Sequence, residues 1–481
     1  MYITVTGKVL VICVLGFIAW GSYEVSYRVR EANAIPAFAR KYNFACNVCH
    51  VPSFPKLNDF GNLFRDQGYQ MGSELDLPTA ESVTMGYWPV SFRTTIGYQA
   101  ASLRVDGSGA STGSFGFTGL DILSFGLLHR HISFGVVYTP GLGSAGFGAN
   151  STAGQGDLES AFVRLNNLER FLGVTNPNSY LLNLKVGKFE LDVPFSERRS
   201  PTLNTPFVMY HYQPGTPYSA VLSNLTASRY NSYGNPNDFA IGENQSGAEL
   251  FGIKETSGHG YFRYSFAAVS NSNLNAGNVG GGRGTNFFGH ITQSFGGYGV
   301  VTGHRIGLFG VYGDAPTVVN AACPSCAGVA GGGQPFHRIG ADLSLTFEGE
   351  WNLFGAVMHG NDSKNLFVSQ AIPNAQNASW KGAFAELDWY PTHLPFFDTP
   401  GWFFSYRYDL IRNDRQGDPT FAKNYNDIDS HTWLARYNFH FSARTDIAWH
   451  AEFNTFTAKE VGVGGGNQRG QTMLVGLDFA Y

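Results

Sequence analysis

The C-terminal segment Thr472-Met-Leu-Val-Gly-Leu-Asp-Phe-Ala-Tyr481 decides the fold, because its apolar residues alternate along the chain. One face carries Met473, Val475, Leu477, Phe479 and Tyr481, and the other carries Thr472, Gly476, Asp478 and Ala480. Successive side chains of a β-strand point to opposite faces of its sheet. The segment is therefore predicted to be a strand with one apolar and one polar face.

Three upstream segments repeat this alternation. Their apolar faces carry Ile447, Trp449, Ala451 and Phe453; Trp433, Ala435, Tyr437, Phe439 and Phe441; and Trp402, Phe404, Tyr406, Tyr408 and Leu410. Their polar faces carry Asp446, His450, Glu452 and Asn454; Arg436, Asn438 and His440; and Ser405, Arg407 and Asp409. A soluble sandwich would also bury an apolar face, but aromatic residues at the strand ends are typical of membrane barrels. The terminal Tyr481 also resembles the C-terminal signal of bacterial outer-membrane barrels.

The connections between the alternating segments differ in length. Short links near residues 129, 295, 348 and 442 interleave with long polar ones at 140–156, 313–335, 359–380, 412–430 and 456–470. Short turns on one side and long loops on the other are the rule for membrane barrels. Strands are predicted to start near 90, 115, 131, 157, 180, 247, 260, 286, 299, 336, 351, 381, 401, 431, 445 and 470. Residues 90–481 are thus predicted to form a transmembrane antiparallel β-barrel of about 16 strands, with 14 and 18 as alternatives.

Composition and charge support a membrane class. Only 14% of the 481 residues are charged, while 15% are aromatic and 60 are glycine. The formal net charge of -4 offers no basic surface for a phosphate backbone, so nucleic acid binding is not expected. Residues 1–34, with the apolar run 9–20 and the small-residue triplet 32–34, are predicted to be an export signal. The alternative is an uncleaved membrane anchor.

The string Cys46-Asn-Val-Cys-His50 is the attachment pattern of a c-type haem. Two thiols on one turn can add to the two vinyl groups of a haem, and the adjacent imidazole can then bind the iron axially. The alternatives are a disulfide between Cys46 and Cys49, or a zinc site. Zinc would need further ligands, and the adjacent Cys49 and His50 fit poorly at two corners of one tetrahedron.

The sequence around the motif predicts a small helical domain over residues 35–85. One helix is expected to contain Phe38 and Tyr42, and a second to follow the spacing of Leu57, Phe60 and Phe64, with Gly68 as its C-terminal cap. Asn58, Asp59, Asn62 and Arg65 would form the polar face of that second helix. A methionine sulfur is a candidate distal ligand to the iron, and Met71 is preferred over Met85 because it follows the helix closely. A core methionine is the alternative role for Met71.

Three stretches of the N-terminal region carry a family resemblance. Residues 34–40 (Ala-Ile-Pro-Ala-Phe-Ala-Arg), the Cys46–His50 motif, and Phe54-Pro-Lys-Leu-Asn-Asp-Phe-Gly61 with Gly68-Tyr69 resemble the fused monohaem cytochrome and porin family. Members of that family are outer-membrane iron oxidases. The resemblance implies thioether bonds at Cys46 and Cys49 and a proximal ligand at His50. It covers residues 34–69 only and indicates no distal position, so Met71 depends on its chemistry alone.

Other segments have roles that the sequence leaves open. An even strand count puts both barrel ends in the periplasm, so the haem domain is expected on that side, preferably as a plug in the lumen. Residues 191–246, which include Arg198, Arg199, Met209 and His211, form either an infolded constriction or an external flap. Cys323 and Cys326 are predicted to form a disulfide in an outer loop, and Gly277–Gly284 is interpreted as a plain loop.

These features lead to one functional hypothesis and two alternatives. By resemblance, an outer-membrane electron conduit with one covalently bound haem c would oxidise extracellular Fe(II), or another one-electron donor, and pass the electron to a periplasmic carrier such as a soluble cytochrome c. Inward-facing Asp446, His450, Glu452, Asp478 and His440 either guide ferrous ions or are ordinary solvated lining of the pore. The alternatives are a diffusion porin with a haem-bearing plug or gate, and a conduit that exports electrons to external acceptors.

Overall fold

The structure is a computed structural model that describes most of the barrel and of the N-terminal segment. The described residues are 36–51, 53–72, 76–84, 86–106, 108–140, 157–174, 180–215, 237, 239–256, 260–270, 285–296, 303–316, 333–368, 372–392, 394, 401–441, 446–461 and 465–481. The predicted signal at 1–34, Met85, the pair Cys323 and Cys326, and Gly277–Gly284 lie outside them.

Sixteen antiparallel strands form one closed barrel, in which each strand pairs with its neighbours in the chain and β1 pairs with β16. The strands are β1 (Val90–Val105), β2 (Ser108–His129), β3 (Ile132–Thr139), β4 (Asp157–Leu165), β5 (Asn183–Phe189), β6 (Gln245–Thr256), β7 (Gly260–Ser270), β8 (Thr285–Phe295), β9 (His304–Pro316), β10 (Gly333–Phe347), β11 (Trp351–Asp362), β12 (Ala378–Trp389), β13 (Trp402–Arg415), β14 (Ile428–Phe441), β15 (Asp446–Ala458) and β16 (Gln468–Ala480). The predicted fold class and strand number are confirmed.

Two predicted strand starts were displaced. β2 begins at Ser108 instead of near 115, because the Gly- and Ser-rich stretch 108–114 pairs with residues 99–105 of β1 although its sequence shows no alternation. β9 begins at His304 instead of near 299. Several long loops are also shorter than predicted, because paired strands continue into their polar ends; residues 416–427, for example, connect β13 to β14. We call the end where β1 begins and β16 ends the terminal end, and the opposite end the loop end.

The two faces of the strands differ as the alternation predicts. Leu477 is 44% exposed on the outside of β16, while its neighbour Asp478 is fully buried in the lumen. Large apolar side chains also face outward on other strands, such as Phe266, Leu308 and Ile339. At the terminal end, Trp351 stacks on Trp389 with ring centroids 5.1 Å apart. An apolar outer band with aromatic residues at its edge is the surface of a membrane-spanning barrel.

The helices of the described residues are short and do not form part of the barrel wall. They are α1 (Pro36–Tyr42), α2 (Asp59–Asp66), α3 (Thr79–Thr84), α4 (Val208–His211) and α5 (Lys364–Val368). Within the described ranges, no helix has both the length and the apolar character needed to cross a membrane. The first two confirm the predicted helices around the Cys46–His50 motif. Leu57 and Asn58, however, precede α2 instead of belonging to it, and Asn58 is its N-cap.

Two parts of the chain pack against the inner face of the barrel. One is the N-terminal segment, by which we mean residues 36–84, and it contacts the wall at the terminal end. The other is the connection 190–244 between β5 and β6, which we call the inner loop. Its Phe207, Met209 and Tyr210 are each 1% exposed and pack with wall residues such as Phe384. The described part of the loop is therefore folded into the lumen, as the constriction alternative predicted.

An arginine at the outer face should destabilise the barrel in lipid. Phe453 lies in the middle of β15 and is 38% exposed on the outside. We expect Phe453→Arg to cost about 2–4 kcal/mol, since a cation near the bilayer midplane loses its hydration. Denaturant titration in vesicles, followed by heat-modifiable gel mobility, measures this cost. Phe453→Leu is the control, and equal stability of the two variants would show that this face does not contact lipid.

Candidate functional site at the Cys46-His50 turn

The Cys46–His50 motif forms a single tight turn. Residues Cys46–Val48 are a 3₁₀ turn, and the backbone N–H of His50 donates to the carbonyl oxygen of Cys46 over 2.9 Å. Asn58 holds the turn from the other side, because its side-chain amide donates to the carbonyl oxygens of Asn47 (3.1 Å) and Val48 (3.0 Å). Its side-chain oxygen accepts from the N–H of Gly61 (2.9 Å). One residue thus caps α2 and fixes the turn.

A hydrogen bond from one ring nitrogen fixes the orientation of His50. Its Nδ1–H donates to the carbonyl oxygen of Pro55 over 3.1 Å, and the carbonyl of Lys56 lies 3.3 Å away. A carbonyl oxygen can only accept, so Nδ1 carries the proton and Nε2 keeps its lone pair. Burial lowers the pKa of His50 to about 4, so the ring is neutral near pH 7. A neutral imidazole oriented by a backbone carbonyl is the usual state of a metal-bound histidine.

The two cysteines are close in the chain but are not joined to each other. Cys49 is a free thiol, which does not support the predicted disulfide alternative. Burial raises the pKa of Cys49 to about 12, so the group is a thiol and not a reactive thiolate. In the ranges that the structure describes, no group of three or more His, Cys, Asp or Glu side chains is arranged to hold a metal ion.

A cavity of about 640 Å³ adjoins the turn, and Cys46, Cys49 and His50 all line it. Aromatic rings form much of the wall near these residues, namely Phe38, Phe44, Phe54, Phe64 and Tyr69. Gly61 also lines the cavity, and a Cβ atom at this position would lie 2.0 Å from the carbonyl oxygen of Cys49. Only glycine lets α2 approach the turn this closely.

These features fit a c-type haem. The motif supplies two thiols and an imidazole on one turn, with the imidazole in the protonation state that binds iron. The adjacent cavity is large and has an aromatic wall, which suits a flat apolar group. We conclude that the residues present are compatible with the haem that the sequence predicts; its attachment stays a prediction.

The candidate distal ligand lies elsewhere. Met71 is 38% exposed, and it is not among the described residues that line the cavity. Its backbone N–H donates to the carboxylate of Asp76 over 2.9 and 3.0 Å, which fixes the chain at this point. The structure therefore does not bring Met71 to His50, and this ligand stays a prediction. Met85 lies outside the described residues.

Ionic contacts join the N-terminal segment to the barrel wall. Asp66 is 4% exposed and accepts from the Nε–H of Arg263 on β7 over 2.9 Å. Arg164 on β4 donates to the carbonyl oxygens of Arg65 (2.5 Å) and Asp66 (2.7 Å). Burial alone would raise the pKa of Asp66, but Arg263, Arg65 and Arg164 outweigh it and hold this pKa well below its usual range. Asp66 therefore stays ionised and holds the end of α2 against the wall.

A second set of contacts lies next to His50. The ammonium of Lys56 donates to Asp388 on β12 over 2.5 Å and to the side-chain oxygen of Asn352 on β11 over 3.0 Å. Val51 is fully buried against Phe403 and Leu434 of the wall. The chain that follows His50 is thus fixed to the inner face of the barrel.

The inner loop carries four residues that the sequence pointed out. Arg198 lies 3.4 Å from Glu159 of β4, and Arg199 lies 2.9 Å from Glu190; both arginines line the cavity. His211 lies 2.7 Å from Glu197. Met209 packs in the apolar lumen cluster and does not line the cavity. The loop therefore brings two cations to the cavity, while Met209 has a packing role.

Four of the predicted lumen carboxylates and imidazoles are buried and have partners in the wall or in the inner loop. Asp446 and Asp478 both bind the guanidinium of Arg436. Glu452 accepts from the backbone N–H of Leu203 in the inner loop over 2.7 Å. The Nε2 atom of His450 lies 3.4 Å from the carboxylate of Glu452. All four are at most 2% exposed, so the prediction of a solvated pore lining was wrong for them. The backbone of His440 belongs to β14, but its side chain is outside the description.

Sequence reasoning missed three of the site residues. Asn58 was placed on the polar face of a helix, although an asparagine directly before an amphipathic segment is also an N-cap signal. Gly61 had no assigned role, because the close approach that requires it is a tertiary contact. Lys56 gave no signal at all, because its partner Asp388 lies more than 300 residues away in the chain.

Comparisons with known proteins find distant similarity to solved structures. No protein-family model and no curated protein matches the chain. Similar solved structures include the anion-selective porin from Comamonas acidovorans, at 14% identity over 82% of this chain and 99% of that one with a TM-score of 0.48. Another is the outer-membrane channel DcaP of Acinetobacter baumannii, at 8% identity over 80% and 96% with a TM-score of 0.42. OprB of Pseudomonas putida has 11% identity over 84% and 96% with a TM-score of 0.41.

The barrel is of the porin type. This statement depends on the 16 strands of the closed sheet and their outer apolar band. The identities and TM-scores of the similar structures are too low to support any statement about function.

Neutralising Asp66 should loosen the N-terminal segment. Asp66→Asn takes from Arg263 one of its two carboxylate partners, the other being Asp192, and removing one partner of a buried ion pair costs up to about 3–5 kcal/mol. We expect faster hydrogen exchange across residues 59–70 while the barrel strands keep their protection. Glu81→Gln removes an exposed carboxylate of the same segment and is the control. Unchanged exchange in Asp66→Asn would mean that the ion pair does not hold the segment.

The contact between His211 and Glu197 should make the inner loop pH-sensitive. Burial would lower the pKa of His211, but Glu197 outweighs it and raises this pKa above its ordinary 6.5. Burial would raise the pKa of Glu197, but His211 lowers it below its ordinary 4.5. The contribution of His211 to the stability of the folded loop is complete below about pH 6.5, and it is lost as the pH rises through the raised pKa of His211. The contribution of Glu197 to the same stability is complete above about pH 4.5, and it is lost as the pH falls through the lowered pKa of Glu197.

We therefore expect protease protection of the inner loop to be greatest between about pH 4.5 and 6.5. His211→Gln should remove the decrease in protection at high pH, whereas the same change at His129, the last residue of β2, should leave it. A protection profile that is flat in the wild type would exclude this coupling.

Proposed function

We propose that the chain is a bacterial outer-membrane electron conduit that oxidises extracellular Fe(II) and passes the electron to a periplasmic carrier such as a soluble cytochrome c. One haem c, bonded to Cys46 and Cys49, would be its redox group. The observation that carries the proposal is the Cys46–His50 turn, with the Nδ1–H of His50 on the Pro55 carbonyl, set beside a cavity within a membrane barrel. The Fe(II) substrate comes from the family resemblance of residues 34–69.

Each residue near the turn would have a separate role. Cys46 and Cys49 would hold the haem covalently, and Nε2 of His50 would bind its iron. Asn58 and Gly61 would position the turn, and the rings of Phe38, Phe54 and Phe64 would exclude water from one side. When bound, the haem supplies an iron that accepts and releases one electron.

The proposed reaction balances without another reactant. Fe(II) loses one electron and becomes Fe(III) outside the cell, and the periplasmic carrier gains that electron. The N-terminal segment lies at the terminal end of the barrel, on the side of both chain ends of the sheet. In an outer-membrane barrel with this topology, the carrier would dock there.

A diffusion porin with a haem-bearing plug is the second candidate. The observation that favours it is the lumen cavity. Its lining includes charged residues such as Asp66 and Asp157, and it would admit small solutes. The apolar packing of Phe207 and Tyr210 against the wall favours a narrow lumen instead. Liposome swelling separates the two functions, because a conduit should be nearly impermeable to sugars that a diffusion porin admits.

Anaerobic stopped-flow mixing with ferrous sulfate tests the conduit. Purified protein from cells competent in cytochrome maturation should show a Soret band that survives denaturation, because thioether bonds persist when the protein unfolds. Fe(II) should reduce this haem on the time scale of the stopped-flow measurement. Cys49→Ala should lose most of the covalent haem. A haem that stays oxidised, or the absence of any Soret band, would remove the electron-transfer function.

The distal ligand has its own test. If Met71 binds the iron, Met71→Ala should lose the low-spin spectrum and lower the midpoint potential, since a thioether ligand raises it. Met85→Ala is the matched variant, because it removes the other nearby sulfur. A low-spin spectrum that survives in Met71→Ala and disappears in Met85→Ala would assign the ligand to Met85.

A further inference from the structure

The cavity beside the Cys46–His50 turn is bounded in part by the first strand of the barrel. Ser91, Arg93 and Thr95 are alternate residues of β1, and all three line the cavity. Alternate residues of a strand point to the same face of the sheet, which here is the inner face. The start of β1, at the terminal end, therefore brings a guanidinium group to the cavity that Cys46, Cys49 and His50 also line.

A single phenyl ring links Arg93 to His50. The ring centroids of Phe54 and His50 lie 4.9 Å apart. The Cζ atom of Arg93 lies over the same Phe54 ring, 5.5 Å from its centroid. The guanidinium is thus no farther from the imidazole of His50 than these two distances together. A group that occupies the cavity and binds His50 would have Arg93 in its immediate surroundings.

Arg93 differs from the other cations of the described cavity lining in its hydrogen bonding. Six others each have a carboxylate or carbonyl oxygen within 3.5 Å, namely Arg65, Arg164, Lys185, Arg198, Arg199 and Arg263. The Nη2 atom of Arg93, by contrast, is buried and has no hydrogen-bond partner among the described residues. A buried donor without a partner is unfavourable, and it indicates a group that completes the site.

The carboxylates nearest to Arg93 have other partners. The Nε atom of Arg93 lies 3.7 Å from Oδ1 of Asp478, which is too far for a hydrogen bond. That oxygen accepts from the hydroxyl of Thr95 over 2.9 Å, and the other oxygen of Asp478 binds Arg436. Asp121 lies opposite Arg93 on β2 and accepts from a hydroxyl of β3 over 2.8 Å. Arg93 therefore keeps donors that a further anion in the cavity could use.

We propose that Arg93 binds a propionate carboxylate of the covalent haem, so that the barrel wall forms part of the haem site. The inference rests on the proposed function and deepens it, because it assigns a wall residue to the haem. A haem carries two anionic propionates besides the vinyl groups that bond to the cysteines, and a partly buried anion needs a cation or several donors. The planar guanidinium can donate two parallel hydrogen bonds to a carboxylate. The hydroxyl of Ser91, on the same face of β1, supplies a further donor.

The first test is a redox titration of the full-length, haem-loaded protein with dithionite and mediators. Arg93→Met removes the charge and the donors but keeps an unbranched side chain. A cation favours the reduced haem, and a unit charge about 10 Å away at an effective dielectric constant of about 20 changes a one-electron equilibrium roughly tenfold. The midpoint potential of Arg93→Met should therefore fall by about 59 mV. Arg93→Lys keeps the charge and should stay within about twofold of the wild-type equilibrium constant.

The second test is the resonance Raman spectrum of the same proteins, whose propionate bending bands depend on hydrogen bonds to the carboxylates. These bands should shift in Arg93→Met. They should also shift in Arg93→Lys, because one ammonium does not reproduce two parallel hydrogen bonds. Arg104→Met is the matched control, since Arg104 is an exposed residue of β1 that is not among the described residues lining the cavity. It should change neither the potential nor the bands.

The outcomes separate this site from the proposed function. Wild-type protein without a Soret band overturns both together. Wild-type protein that carries the haem, with unshifted propionate bands in Arg93→Met, overturns the site alone. This holds even if the potential falls, because Arg93 would then act through Asp478. Heat-modifiable mobility shows whether Arg93→Met folds, and if it does not, the bands of Arg93→Lys decide in the same way.

Discussion

The hydrogen-bond ladder between β1 and β16 is the contact on which the rest of the molecule depends. Lipid offers no partners to backbone N–H and C=O groups, so a membrane sheet must leave no open edge. Thirteen residue pairs, from Arg93 with Ala480 to Val105 with Gln468, join the first and last strands. Closure with an even number of strands puts both ends of the sheet on one side. The N-terminal segment, which leads directly into β1, is therefore held at the terminal end.

Closure also creates an interior that must be filled or solvated. This chain fills much of it with charges, and it pairs them across elements that lie far apart in the sequence. Arg436 binds Asp446 and Asp478 within the wall, whereas Asp66 meets Arg263 between the N-terminal segment and the wall. Buried ion pairs add little net stability, but removing one partner is costly. Their main consequence is geometric, because they allow one position of the segment and one path of the inner loop.

The N-terminal segment depends on the barrel for its structure. It is too short to bury a large core of its own, and domains of this size usually need a covalent or metal-bound group as well. In this chain the wall supplies part of the missing core through Phe403 and Leu434, which cover Val51. Lys56 and Asp66 then fix the chain that follows the Cys46–His50 turn to the wall. A redox group on this turn would have its surroundings set by the barrel as much as by its own segment.

The sequence by itself determined the barrel class, a number of about 16 strands, and the two faces of the four strands that alternate most clearly. Leu477 and Asp478 show why: the period of a strand is two, so neighbouring residues report opposite environments without any knowledge of the partners. The motif at Cys46–His50 also predicted its own tight turn, because the backbone hydrogen bond of that turn joins residues only four apart in the chain. Ser108 and its neighbours were missed as part of β2, since their pairing with β1 leaves no trace in an unpatterned Gly- and Ser-rich stretch. Tertiary structure alone decided that the described part of the inner loop packs against the inner wall and that Met71 lies away from the cavity. Each of these features depends on packing contacts between segments that are far apart in the chain. Neither residue type nor local spacing specifies such contacts.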